Sequence, residues 1–249
     1  MTNTVNRKIV VIQFSGNAGK TTVARNLLLP RLPHGTQLVS IESINADDGD
    51  GGGEQFRGKD FTRVMQDVDN SESIVVDVGA SNVESFLLEM KRNEGSVDAF
   101  DYFVIPTVPK KKQIKDTLNT IEALHDLGIP KGKVRIVFNQ VASDLDDSYE
   151  DEVKRSFSPI FAAANDPDAG EWFTCNPLAF VPESELFSRL NGESIESVLS
   201  TTSMGDLKSM LSNTSDKDER FKITYRIGTV RVAQGMNRAL NNCFDALMA

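Results

Sequence analysis

The segment from Phe14 to Thr22, FSGNAGKTT, combines residue types that bind phosphate. Gly16 and Gly19 allow a tight turn in which several backbone N–H groups point to one side and can donate to phosphate oxygens. Lys20 adds a positive charge for the β- and γ-phosphates, and the hydroxyl of Thr21 is a suitable ligand for Mg²⁺. The spacing therefore predicts a site for the phosphates of a nucleotide.

The match to the usual spacing, G-x-x-x-x-G-K-[ST], is incomplete because Phe14 stands where that pattern has glycine. The alternative is a chance GKTT at a strand-to-helix turn. A strand pattern before the segment and a helix pattern after it favour the phosphate site. The predicted nucleotide contacts in this loop are Ser15, Gly16, Asn17, Ala18, Gly19, Lys20, Thr21 and Thr22, the last toward the α-phosphate.

Asp77 lies near the end of an apolar segment, SIVVDV, that is typical of a buried strand. A lone acid in such a place is costly unless it is paired or binds a cation. We expect Asp77 to face the loop and to support Mg²⁺ together with Thr21. Gly79 would let its backbone N–H approach the γ-phosphate. The alternative is that Asp77 caps a helix or a turn.

Asn139 ends another apolar segment, KVRIVFN. Its amide offers one donor group and one acceptor, which suits the edge of adenine. Asn is also a common turn residue, so a purely structural role remains the alternative.

Apolar, β-branched segments alternate with amphipathic ones along the chain. This alternation predicts an α/β fold with a mostly parallel sheet, helices on both faces, and functional loops at the carboxyl ends of the strands. The predicted strands are Lys8–Phe14, Gln37–Ile41, Ser73–Val78, Tyr102–Pro106, Lys133–Asn139 and Ala179–Pro182. The predicted helices are Thr21–Leu29, Asn82–Arg92, Lys112–Leu127, Ser184–Leu190 and one or two within Phe221–Leu247, and the stretches Asn45–Gly53 and Ser200–Asp218 are expected to be loops, the latter partly helical.

The totals limit the classes of function. The 249 residues fit a single domain, 1–249, with a core at about 8–199 and carboxyl-terminal loop and helices at 200–249. The net charge of −9 argues against attraction of DNA by the mean field. Two cysteines without metal-ligand spacing and only two histidines carry no metal signature. No apolar run approaches the roughly 20 residues of a membrane span, and the amino terminus leads straight into a strand pattern, so we expect a cytoplasmic protein.

These motifs, in this order, resemble the ParA/MinD group of partition ATPases. The resemblance is carried by GKTT at 19–22, Asp77-Val-Gly79, the 102–106 strand, Asn139 and Val181-Pro182, and it covers about residues 8–199. Within the group, SGNAGKTT followed by LLLPRL at 27–32 is most similar to the plasmid-stability StbB branch. The resemblance implies an ATP- or ADP-binding protein with Mg²⁺, a nucleotide-dependent homodimer, a DNA-binding partner protein of the same plasmid, and Pro182 in the nucleotide site.

Three positions depart from that family. Ser15 stands where relatives carry a lysine that reaches the nucleotide of the other subunit, and a hydroxyl cannot replace a long cationic arm. Of the acids expected after the second strand only Glu42 carries over, with Asp47 and Asp48 further on. The basic surface that relatives use for direct DNA contact is represented only by Lys222, Arg226, Arg231 and Arg238, and a solvated helix face is the alternative.

Three functions follow as hypotheses. The first is a slow Mg²⁺-dependent ATPase acting in plasmid stability, partition or positioning, with Lys20, Asp77 and Glu42 as its catalytic residues. The second is a nucleotide-dependent adaptor that barely hydrolyses and links DNA-bound partners, which Ser15 favours. The third is a small-molecule kinase, for which Lys110–Lys112 is the one basic candidate for a second phosphate substrate.

Overall fold

The β-branched and aliphatic segments become the strands of a parallel sheet in the computed structural model, which describes residues 5–42, 56, 58–142, 148–190, 192–201 and 203–249. Within these ranges the sheet has six strands in the order β2-β3-β1-β4-β5-β6, and every pairing is parallel. The strands are β1 (Lys8–Val11), β2 (Gln37–Ile41), β3 (Ile74–Val78), β4 (Tyr102–Thr107), β5 (Val134–Val141) and β6 (Phe180–Pro182). The predicted α/β class with a parallel sheet is confirmed.

Helices cover both faces of this sheet. They are α1 (Lys20–Thr22), α2 (Gly58–Asn70), α3 (Val83–Arg92), α4 (Lys111–Asp126), α5 (Tyr149–Ser156), α6 (Ser158–Ala164), α7 (Leu186–Arg189), α8 (Ile195–Thr201), α9 (Met204–Asn213) and α10 (Lys217–Met248). Because side chains alternate along a strand, Val10 faces a core built with α2, α3 and α4. Its neighbours Ile9 and Val11 face a second core built with the helical segment after the phosphate loop and with α10.

The helix after the phosphate loop agrees with the prediction to within one residue. α1 continues as a π-helical segment, Val23–Leu28, so the helix ends one residue before the predicted Leu29. A 3₁₀ turn, Leu29–Arg31, follows, and Pro30 occupies its first turn, where its missing N–H is not needed. Arg31 then donates to the carbonyls of Asn26 and Leu27 and to Asn237 of α10, which fixes the two helical segments together.

Other boundaries differ from the predictions in instructive ways. β1 ends at Val11, because the chain turns into the phosphate loop before Phe14. Helix α2 was not predicted, although Phe61, Val64 and Val68 form its buried stripe. The 221–247 segment is a single helix that begins at Lys217, and the predicted loop at 45–53 lies outside the described residues.

The topology places the candidate residues at one edge. β1 lies between β3 and β4, so the loop that leaves its carboxyl end sits centrally between the carboxyl ends of its neighbours. Among the helices of the described ranges, none has both the length and the apolar character needed to cross a bilayer.

Candidate phosphate-binding site

The loop between β1 and α1 has the backbone of an anion cradle. Asn17 has φ 59° and Gly19 has φ 87°, so two residues adopt the left-handed conformation within one turn. Successive N–H groups in such a turn converge on one side. The loop therefore offers a set of donors at the amino end of α1.

Lys20 is held inside this loop rather than extended into solvent. Its side chain is 8% exposed, and its Nζ donates to the carbonyls of Gln13 at 3.1 Å and Ser15 at 2.9 Å. Burial lowers the pKa of Lys20, and the nearby Asp77 carboxylate acts in the opposite direction. The ammonium group of Lys20 therefore lies next to the N–H groups of the loop. Its two acceptors are neutral carbonyls, which an anion can replace.

Asp77 meets Thr21 across the edge of the sheet. The Thr21 hydroxyl donates to one carboxylate oxygen of Asp77 at 2.7 Å, and the other oxygen, Oδ1, is buried and has no hydrogen-bond partner among the described residues. Burial raises the pKa of Asp77, while the Thr21 hydrogen bond and Lys20 lower it. Asp77 lies within β3 and does not cap the following turn. One hydroxyl and one orphaned carboxylate oxygen are the hard ligands that Mg²⁺ prefers, so these residues fit the ion.

Glu42 lies directly after β2 and is exposed. Ser40 pairs with Asp77 and Ile41 with Val78, so Glu42 follows at the same edge of the sheet, and its charge raises the pKa of Asp77. The N–H of Gly79 donates to the carbonyl of Ile41 at 2.8 Å, and Asn82 Nδ2 donates to the same oxygen at 3.1 Å. The segment after β3 is therefore fixed to the end of β2, and contact of Gly79 with a phosphate, which stays a prediction, requires exchange of that bond. Asp47 and Asp48 lie outside the described residues.

Asn139 packs against the loop itself. Its Nδ2 donates to the carbonyl of Ala18 at 3.1 Å, and its Oδ1 accepts from the N–H of Gln140 at 2.9 Å. The β5–β6 pairing is irregular between Phe138 and Val141, and Gln140 has φ 56°. Pro182 lies beside Val141 at the end of β6. Both residues reach the predicted edge, and adenine recognition by Asn139 remains a prediction.

A buried hydroxyl network beneath the loop was not predicted. The amide of Gln13 donates to the Thr117 hydroxyl at 2.7 Å and accepts from that of Thr120 at 2.8 Å, both on α4. The Ser15 hydroxyl donates to the Asp116 carboxylate, also on α4. The signal was weak, because threonine and aspartate at every third or fourth position of a helix usually indicate a solvated face. These contacts tie the first half of the loop to α4.

The basic candidates lie at the start of α4 and on α10. Lys110 precedes α4, and Lys111 and Lys112 form its first turn, all three exposed. On α10, Lys222 and Arg226 are four residues apart and share one side, whereas Arg231 and Arg238 lie on roughly the opposite side of the helix. The four cations that the resemblance associates with DNA contact therefore do not form one face.

The parallel sheet, the loop after its central strand and the Thr21–Asp77 pair define the class, an α/β protein of P-loop architecture.

No protein-family model matches the chain, and no curated protein matches it. Similar solved structures include pNOB8 ParA, with 11% identity, a TM-score of 0.49, and coverage of 97% of this chain and 99% of that one. The Aquifex aeolicus MinC:MinD complex has 16% identity and a TM-score of 0.47, with 91% and 95% covered. An ATP complex of a Cyanothece McdA variant has 14% identity and a TM-score of 0.45, with 94% and 98% covered. The residues of this chain's own site therefore carry the functional assignment.

Proposed function

We propose that the protein is a ParA-like ATPase that binds ATP with Mg²⁺ at the loop of residues 15–22 and acts in plasmid stability, partition or positioning. The observation that carries the proposal is the pairing of Thr21 with Asp77, whose second oxygen is buried and has no partner in the described part of the chain. A buried carboxylate in this state is costly, and a cation beside it offsets that cost. The plasmid role rests on the sequence resemblance to the StbB branch.

Each residue of the cluster has a distinct task. Lys20 exchanges its bonds with the Gln13 and Ser15 carbonyls for bonds to phosphate oxygens, and so neutralises charge that develops during phosphoryl transfer. Thr21 and Asp77 hold the ion, which supplies further charge neutralisation when it is bound. Glu42, exposed at the end of β2, is the candidate for orienting the attacking water. Asn139 and Pro182 line the side on which the base would lie.

Nucleotide-dependent dimerisation is tested by measuring mass in solution. Light scattering with a non-hydrolysable ATP analogue and Mg²⁺ should give about twice the mass found with ADP. We expect two subunits to meet at the carboxyl ends of their strands, where the γ-phosphate would complete the contact. The Lys20→Ala protein, carried through the same measurement, should stay at the mass of the ADP state. A mass that is the same with ADP, with the analogue and without nucleotide would contradict the dimer.

A second candidate is an adaptor that binds nucleotide but barely hydrolyses it. Ser15 favours this function, because its side chain is buried and donates to Asp116, and it places no positive charge near a phosphate. Single-turnover phosphate release, measured alone and then with DNA and with the DNA-binding partner added separately, divides the two. We expect slow release by the isolated protein and faster release with the partner. Release that stays negligible in all conditions favours the adaptor, and fast release by the isolated protein would contradict the predicted dependence.

A further inference from the structure

A groove of about 320 Å³ opens between the first turns of α10 and the segment that follows α7. It belongs neither to the loop cluster nor to either hydrophobic core. Its lining combines aromatic rings with cations, and the residues that matter are Arg189, Glu193, Phe221, Lys222, Tyr225 and Arg226.

The aromatic part of the groove is an exposed strip on α10. Phe221 is 71% exposed and Tyr225 is 48% exposed. Residues four apart lie on the same side of a helix, so the two rings stand one above the other. The buried stripe of α10, which includes Ile223 and Ile227, faces the second core instead. Single exposed apolar side chains are common, but two adjacent rings beside a groove form the kind of anchor site found in protein interfaces.

The charged part of the groove already binds carboxylates. Both terminal nitrogens of Arg226 donate to the two oxygens of Glu193, at 3.1 and 2.9 Å, in the paired geometry that arginine uses for carboxylates. Arg189 donates to Glu185 at 2.7 Å and lies 5.8 Å from the centre of the Tyr225 ring. The lining holds three cations and one anion, Glu193. Because Arg189 is also paired with Glu185, the excess is one positive charge, on a chain whose net charge is −9.

We propose that this groove binds an acidic segment of a partner protein, with an apolar side chain of that segment against Phe221 and Tyr225 and a carboxylate on Lys222. Charge complementarity argues for an acidic ligand, because the lining has an excess of positive charge while the chain is acidic overall. A protein segment is favoured over nucleic acid because the other cations of α10 lie on roughly the opposite side of the helix and do not extend the groove into a track for phosphates; they are Lys217, Arg220, Arg231 and Arg238.

Binding is tested on the full chain with a fluorescein-labelled synthetic peptide in which aspartates and glutamates surround one phenylalanine and one leucine. Anisotropy should report saturable binding, and Phe221→Ser and Lys222→Glu should each weaken it roughly tenfold or more, as loss of an interface anchor does. The matched controls are Val232→Ser, an exposed apolar residue of the same helix outside the groove, and Lys208→Glu on α9. Both controls should change the affinity less than about twofold.

Further measurements make the result decisive. The same peptide with lysines in place of its acids should not bind, and a short DNA duplex should not compete. Circular dichroism and ATP affinity should be unchanged in the groove variants, which keeps loss of fold and loss of the phosphate site distinguishable from loss of the groove. No binding of the acidic peptide, equal loss in Lys208→Glu, competition by the duplex, or a peptide-induced change in the mass of the wild-type chain that shows self-association would each overturn the proposal.

Discussion

Asp77 is 3% exposed, and no residue in the described ranges donates a hydrogen bond to its Oδ1 atom. Its other oxygen accepts from Thr21, and the nearby Lys20 is itself buried. Such a group lowers the stability of the protein on its own and is useful only when it binds something. The effect of Asp77 on stability and its effect on ligand binding therefore have opposite signs, and each can be measured independently.

We predict that Asp77→Asn raises the free energy of unfolding at neutral pH in the absence of nucleotide. Burial raises the pKa of Asp77, so between its ordinary value and the raised one the folded state binds more protons than the unfolded state. The contribution of this group to stability is then present at low pH and is lost as the pH rises through that window. Asparagine does not ionise, so the variant does not lose this part of the free energy of unfolding as the pH rises. Denaturant titrations from about pH 4 to pH 8 check it, with the exposed Asp98→Asn as control.

The same Asp77→Asn variant should lose the metal dependence of ATP binding. With Mg²⁺ present its affinity should fall toward the value measured with a chelator, because the ligand that supports the ion is gone. Calorimetric titrations with and without Mg²⁺ provide the measurement. Equal losses with and without the metal would show that Asp77 acts on the fold of the site and not on the ion.

Gly19→Ala is expected to destabilise the folded protein by about 1–2 kcal/mol, because a left-handed backbone is unfavourable for alanine. In addition, a Cβ at this position would lie 2.1 Å from Nδ2 of Asn139, which must move. Gly16→Ala is the matched control, since its Cβ would meet no atom within 4 Å and its φ is not positive. Thermal unfolding of both variants tests this. Equal effects would show that the backbone of the loop differs from the one described.

At the scale of elements, α4 is the support of the loop's first half. Gln13 is fully buried, and among the described residues its side-chain amide bonds to the carbonyl of Pro106 and to two hydroxyls of α4. A buried amide of this kind fixes the relative position of strand end and helix, because any shift breaks several hydrogen bonds together. The position of Ser15 beside Asp116 follows from this packing.

We predict that Thr117→Val costs about 1–3 kcal/mol, since it leaves a buried donor of Gln13 without an acceptor. Thr62→Val is a close control, because Thr62 also donates to the carbonyl four residues earlier but is exposed on α2. That change should stay within about 0.5 kcal/mol. Urea unfolding of the two variants gives the comparison, and similar losses would mean that the network does not carry the loop.

For the whole molecule, the sheet was largely predictable because its strands are buried on both faces and read as apolar, β-branched segments. Gln37–Ile41 agrees residue for residue, and Tyr102–Pro106 differs by one residue. Helix α2 was missed because it follows a glycine-rich acidic stretch that has no period of its own. The single length of α10 could not be predicted, because Gly228 and Gly235 weaken the helical pattern while packing against the second core maintains it.

The positions of the candidate site residues were predictable where a residue type at such a place in a strand or loop has few structural roles. Lys20, Thr21 and Asp77 come together as expected, since a loop after one strand and an acid in its neighbour must meet at the same edge. Gln13, Asp116 and Thr117 were not predicted, because their roles depend on how α4 is rotated over the sheet. The hydrogen bonds of Gly79 and Asn139 likewise depend on the tertiary packing of β2 and of the loop.

The central claim is that the loop of residues 15–22 binds the phosphates of ATP through Lys20. Calorimetric titration of MgATP into the wild-type protein and into Lys20→Ala tests it most directly. Loss of a charged hydrogen-bond donor should cost about 2–3 kcal/mol, roughly 30- to 150-fold in affinity, while circular dichroism and unfolding stay close to wild type. A folded Lys20→Ala protein that binds MgATP as tightly as the wild type, or a wild-type protein that does not bind it, would contradict the claim.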